Sequence, residues 1–183
     1  MNAPVHKFSE SLKLSNSQVD APFWIETYRR AFPNLISAVS VRQDGWAQRG
    51  GVDRVLTLGC GRTVSIDEKV RVKDYGDILL ERWSDVRRQS EGWIVKPLAC
   101  DYIAYAIIPT SVCYFLPTLD LQRAWRHSGR KWMDNAKQSK PGYRMIDAEN
   151  DGYTTRSYAV PINVLMASLV AALTIRWDSE LPA

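Results

Sequence analysis

Histidine is nearly absent: His6 and His127 are the only two in 183 residues. With three widely spaced cysteines (Cys60, Cys100, Cys113), they supply no convincing His/Cys zinc site. An odd number of thiols also makes no disulfide framework, so a reduced, cytoplasmic chain is expected. Long apolar runs are missing too. The longest, Val164–Ile175, is interrupted by Ser168 and Thr174 and falls short of the ~20 residues that cross a bilayer, so no membrane partner is expected. Met1–Ser17 is polar, without the apolar stretch of a secretory signal. Neither G-x-G-x-x-G nor G-x-x-x-x-G-K-[ST] occurs, which argues against a nucleotide cofactor. There is no internal repeat and no low-complexity tract.

What is present suits a globular chain: 45% apolar and 24% charged residues, with seven Trp and eight Tyr. The net charge is +4, carried by sixteen Arg against eight Lys. Arginine is the better fork for phosphate, so the balance is compatible with a nucleic-acid partner without requiring one. Residues 1–20, rich in Ser, Asn and Lys, read as a flexible lead-in, and 21–183 as a single domain.

Periodicity supplies the elements. Ala21–Phe32 has Phe23, Trp24, Tyr28 and Phe32 at helical spacing with Pro22 early, and Pro33 stops it. A second short helix is expected from Asn34 to about Arg42. After Gly50-Gly51 the period changes: Val52–Leu58 and Thr63–Val72 are β-runs around a tight turn at Gly59–Arg62, a hairpin. Ile78–Trp83 is a third β-run. Lys96–Asp101 reads as a helical turn, and Tyr102–Ile108 with Val112–Leu116 as a second hairpin. Asp120–Asn135 is the clearest helix, with Leu121, Trp125 and Trp132 on one face. Gln138–Gly152 reads as a polar loop, Thr154–Val160 as a strand, and Pro161 opens a final helix to about Ile175. This order predicts an α/β domain with a mixed central β-sheet flanked by helices.

The chemistry gathers between Gln48 and Trp83. Alternation along the second strand puts Val64, Ile66, Glu68 and Val70 on one face and Ser65, Asp67, Lys69 and Arg71 on the other. Asp67 and Lys69 then project side by side, about 7 Å apart by strand rise. Asp53 opens the partner strand and meets a carboxylate across the hairpin. Which one depends on register, since a one-residue slip exchanges Asp67 for Glu68. Two carboxylates suit a hard cation such as Mg²⁺ that keeps several waters. Such an ion polarises a phosphodiester and acidifies water. A nearby ammonium orients that water or stabilises the developing charge. Asp53, Asp67 and Lys69 form that minimum set.

A helix bearing an acid (Glu26), then Gly51-Val52-Asp53 entering a strand, then Asp67-Glu68-Lys69 on the next strand, resembles the PD-(D/E)XK nuclease superfamily. Gln48, five residues before Asp53, and Asp77-Ile78-Leu79-Leu80-Glu81 are similar to features of its Holliday-junction-resolvase-like and phage-type members. The resemblance spans roughly residues 20–116 and departs at the first motif, where Val52 stands in place of Pro. It implies a restriction-endonuclease-like core of helix, three strands, helix and strand. It also implies a Mg²⁺- or Mn²⁺-dependent nuclease acting on DNA, structure-selective or weakly sequence-selective, with self-association into a homo-oligomer as in many relatives. Asp53 and Asp67 would be the metal ligands, Lys69 the catalytic lysine, and Glu26 or Glu81 a further site acid.

Each residue also has a plain structural reading. Glu26 is placed to pair with Arg30 one turn on. Glu81 shares a strand face with Leu79 and Trp83 and fits a buried ion pair as well as a third site acid. Gln48 fits a loop amide or a nucleic-acid contact. Arg123, Arg126, His127, Arg130 and Lys131 form a solubilising helix face or a ridge that tracks phosphates, and Arg71 on the strand is a separate candidate nucleic-acid contact. Among the tryptophans, Trp46 stays open as a stacking residue. The rival function is a non-catalytic DNA- or protein-binding module that retains the nuclease fold.

Overall fold

The computed structural model describes residues 21–178. In chain order the elements are α1 (Phe23–Ala31), β1 (Leu35–Ser40), α2 (Gly45–Arg49), β2 (Arg54–Leu58), β3 (Thr63–Arg71), β4 (Asp77–Asp85) and β5 (Ser90–Glu91). There follow β6 (Tyr102–Ile107), a 3-10 turn (Ile108–Thr110), β7 (Val112–Pro117), α3 (Thr118–Lys137), β8 (Arg144–Glu149), β9 (Thr154–Pro161), α4 (Ile162–Met166) and β10 (Leu173–Arg176). The class is α/β, as expected, but there are two sheets rather than one central sheet. No helix among the described residues is long and apolar enough to cross a membrane. The lead-in at residues 1–20 lies outside the described residues.

The described residues divide into two compact units, one of 21–74, 98–120 and 169–178, the other of 75–97 and 121–168. The first holds a mixed six-stranded sheet in the order β1-β2-β3-β6-β7-β10. Its strands pair antiparallel except β3 and β6, which run parallel. A parallel pair needs a long return connection. Here residues 72–101 make it and carry β4 and β5 on the way. The apolar stripe of α1 explains the core on one face of this sheet. Trp24 and Tyr28 pack with Leu56, Val64, Ile66, Ala104, Ala106, Cys113 and Phe115. Tyr28 and Phe32 meet Phe115 edge-on. The second unit has the antiparallel sheet β5-β4-β9-β8. Within it, α3 from Leu121 onward lays Trp125 beside Trp132 and Tyr158.

Four expectations about elements are corrected. Residues 34–42 form no helix, because Leu35–Ser40 pairs along β2 as an edge strand and sheet pairing outweighs local periodicity. The final helix ends at Met166, and Leu173–Arg176 leaves it to pair with β7, its Ile175 packing on the α1 core. The supposed loop 138–152 contains β8, a strand held in register by β9, with the Asn150 N–H donating to the Tyr153 carbonyl across the turn. Lys96–Asp101 makes no helical turn. The short helix α2 was not expected. Its N-cap, Asp44, accepts from the Trp46 and Ala47 N–H groups at 2.7 and 3.1 Å.

The link from α2 into β2 depends on Gly51, whose φ of +68° lies in the left-handed region, and a Cβ there would meet Leu98 Cδ2 at 2.6 Å. Gly51→Ala is expected to lower stability by about 1–3 kcal/mol, combining the left-handed backbone cost with the clash. Urea unfolding measures it, and an unchanged midpoint would refute this account of the turn.

Candidate metal and phosphate site

The β2–β3 ladder runs from Thr57↔Thr63 to Arg54↔Ile66. Asp53 precedes that ladder by one residue, outside its paired register, and its carboxylate lies close enough to Asp67 for the two to interact. The Asp53 N–H still donates to the Ile66 carbonyl at 2.8 Å. Beyond that the strands part, and the Glu68 N–H, which β2 no longer reaches, donates instead to Asp53 Oδ2 at 2.8 Å. An aspartate side chain thus completes the ladder where the backbone stops, and that bond aims the carboxylate along β3. Gln48 on α2 adds a long contact, Nε2 to Asp53 Oδ1 at 3.4 Å.

Residues 66–68 are buried one after another, so β3 is covered on both faces at Asp67 and Glu68. On the first face Lys69 Nζ reaches Asp67 Oδ1 at 2.6 Å. Burial pushes the Asp67 carboxyl up to about 6, opposed by the Lys69 ammonium and reinforced by the charge and hydrogen bonding of Asp53. The two acids are therefore electrostatic neighbours. Arg71, next on this face, donates to the Tyr105 hydroxyl at 3.0 Å. At the other end Asp101 Oδ2 accepts from the Ser65 N–H and hydroxyl at 2.7 and 2.8 Å. Cys100, close enough to feel Asp67 and Lys69, is pushed up to about 11, mainly by burial, and stays a thiol.

On the opposite face Glu68 is the acid among apolar residues, and it is fully paired. It accepts from the Tyr28 hydroxyl, from Arg54 Nε at 2.6 Å and from Arg42 Nη2 at 3.0 Å. The same Arg42 nitrogen lies 3.3 Å from Asp53 Oδ2, so one guanidinium joins the buried cluster to the site. Burial, then the Glu68 charge, raises the Tyr28 phenol well above its usual range and keeps it a donor.

The structure brings together Asp53, Asp67, Lys69 and Gln48, with Arg71 further along the same strand face. It does not add Glu26, which pairs with Arg30 at 2.7 Å on α1. Glu81 belongs to the other unit, where its Oε1 accepts from the Trp93 N–H at 3.4 Å. Arg123, Arg126, Arg130 and Lys131 also belong to that unit, exposed on α3. Arg42, Arg54, Tyr28 and Asp101 were missed. Arg54 was legible, since alternation from Leu56 puts a cation on the apolar face opposite Glu68. Arg42 was hidden by the mistaken helix.

Two aspartates are hard oxygen donors and suffice for an ion that keeps waters and takes further ligands from a phosphate. No cluster of three or more His, Cys, Asp or Glu residues suited to a metal exists among the described residues. Compared with models of protein families, with curated proteins and with solved structures, the chain matches none.

Two outcomes follow from these environments. A carboxyl whose folded-state pKa is raised holds its proton more tightly folded than unfolded. Its penalty is absent below pH ~4, grows as pH rises toward about 6, and is full above that. In a chelator, Asp67→Asn, which mimics the protonated acid, should therefore stabilise the protein by about 1–3 kcal/mol at pH 7.5 and leave it nearly unchanged at pH 4. Thermal melting at both pH values checks this, and a lower melting point for the variant at pH 7.5 would contradict it. Glu68→Gln removes the countercharge of two arginines and should cost about 3–5 kcal/mol in urea unfolding. A loss below ~1 kcal/mol would mean the cluster adds little.

Proposed function

We propose that this chain is a metal-dependent nuclease that hydrolyses phosphodiester bonds in DNA on a PD-(D/E)XK-like sheet. The observation that carries the reading is the closeness of the Asp53 and Asp67 carboxylates where β2 ends, with Lys69 bonded to Asp67. In favour of the reading, a helix precedes the strands β1, β2 and β3, and β6 runs parallel to β3, although the short α2 interrupts the series between β1 and β2. The order departs from the core that the resemblance implies between β3 and β6, where β4 and β5 stand in place of a helix.

The donor set fits Mg²⁺ or Mn²⁺: two carboxylates, one of them with a raised proton affinity that a cation would relieve. When bound, the ion supplies polarisation of the phosphodiester and a more acidic water. The residues do the remaining work. Asp53, aimed by the Glu68 N–H and by Gln48, and Asp67, on the rigid centre of β3, hold the ion. Lys69 sits two residues on, where its ammonium orients the attacking water or offsets charge building on the phosphate. Arg71 on the same face is placed to receive a neighbouring phosphate. The exposed α3 arginines are a candidate backbone contact in their own unit.

Incubation of single-stranded, duplex and branched DNA with Mg²⁺ or Mn²⁺ tests this, comparing wild type with Asp67→Asn and Lys69→Met. Metal-dependent cutting that each substitution reduces by about 10²–10³-fold is expected. Cutting that survives both would misplace the site. DNA binding without cutting in all three proteins would establish the non-catalytic module instead.

A further inference from the structure

All seven tryptophans lie within the described residues, and one is out of place. Trp24, Trp93, Trp125 and Trp132 are buried, and Trp83 and Trp177 are half-buried. Trp46 is 81% exposed. Leaving so large an apolar surface in water forgoes stabilisation that the other six indoles gain, so folding does not explain its position.

Nor is the exposure that of a loose loop. Trp46 stands on α2, capped by Asp44 and closed behind by backbone bonds from Gly50 N–H to the Trp46 carbonyl and from Val52 N–H to the Ala47 carbonyl. Gly50 abuts Ala99, and the Ala99 N–H donates to the Gly50 carbonyl at 2.8 Å, fixing the helix end to the irregular segment that leads into β6. The same short helix carries Gln48, two residues after Trp46, which reaches Asp53 from the side of the helix away from the ring, so the indole lies near the site without facing it. Arg49, three residues on, lies over the indole at 4.5 Å. A guanidinium over one face of an exposed indole leaves the other face for a nucleobase and holds a cation beside it for the phosphate.

We propose that Trp46 and Arg49 form a stacking platform for an unpaired base of the strand held at Asp53 and Asp67. This deepens the nuclease reading and rests on it for the identity of the ligand. Single-stranded or frayed DNA is then the preferred substrate. A base inside a blunt duplex has both faces stacked already and cannot use the platform.

The test is fluorescence anisotropy with the full chain in a chelator, which prevents cutting, using a labelled oligothymidine and a labelled blunt duplex. Trp46→Ala should weaken oligothymidine binding about 5- to 100-fold, Trp46→Phe should recover most of it, and Arg49→Ala should weaken it to a smaller degree. Duplex binding should change less than about twofold in all three. Because the ring is exposed, the variants keep the fold, which melting confirms. Equal single-strand binding by wild type and Trp46→Ala overturns the platform, as do equal losses on duplex and single strand or no single-strand binding by wild type. The two readings separate cleanly. Metal-dependent cutting with Trp46-independent binding removes the platform alone, whereas Trp46-dependent binding without metal-dependent cutting keeps the platform and removes the nuclease.

Discussion

A buried carboxylate governs this structure. Glu68 sits on the apolar face of the central strand, where an unpaired charge would be prohibitive. It is held by a phenol from α1, a guanidinium from β2 and another from the segment after β1. Each partner comes from a different element, so the charge can be satisfied only when helix, hairpin and edge strand are all in place. Such a cluster adds little net stability relative to an apolar core, but it penalises every other register. A one-residue slip of β3 would put Lys69 against Tyr28 and the arginines.

That constraint reaches the site through two bonds. The Glu68 N–H is the donor that fixes Asp53, and Arg42 bridges Glu68 to the same carboxylate. Asp53 and Asp67 are thereby pressed together against their mutual repulsion, with Lys69 as partial relief. The raised proton affinity of Asp67 comes first from burial, with the Asp53 charge adding to it.

Much of this was legible in the sequence because it rests on local rules. Strand alternation separated Asp67 and Lys69 from Glu68, and the turn at Gly59–Arg62 set the β2–β3 hairpin that brings Asp53 near Asp67. The oddity of Glu68 among Val64, Ile66 and Val70 already demanded a partner. What escaped depended on distant pairing. Leu35–Ser40 and Leu173–Arg176 become strands only because β2 and β7 offer them edges, and with the first of these errors Arg42 was lost. The separate sheet of β4 and β9 was equally invisible, since nothing in Ile78–Trp83 names its partner, and Glu81 went with it into the other unit.

The central claim is that Asp53 and Asp67 act as one cation site. Titration of the apoprotein with Mn²⁺, followed by electron paramagnetic resonance at pH 7.5, tests it without reference to any substrate. One ion bound per chain, lost in both Asp53→Asn and Asp67→Asn and retained in Glu26→Gln and Glu81→Gln, is the predicted result. Binding that persists in either aspartate variant, or no binding by the folded wild type, would contradict it.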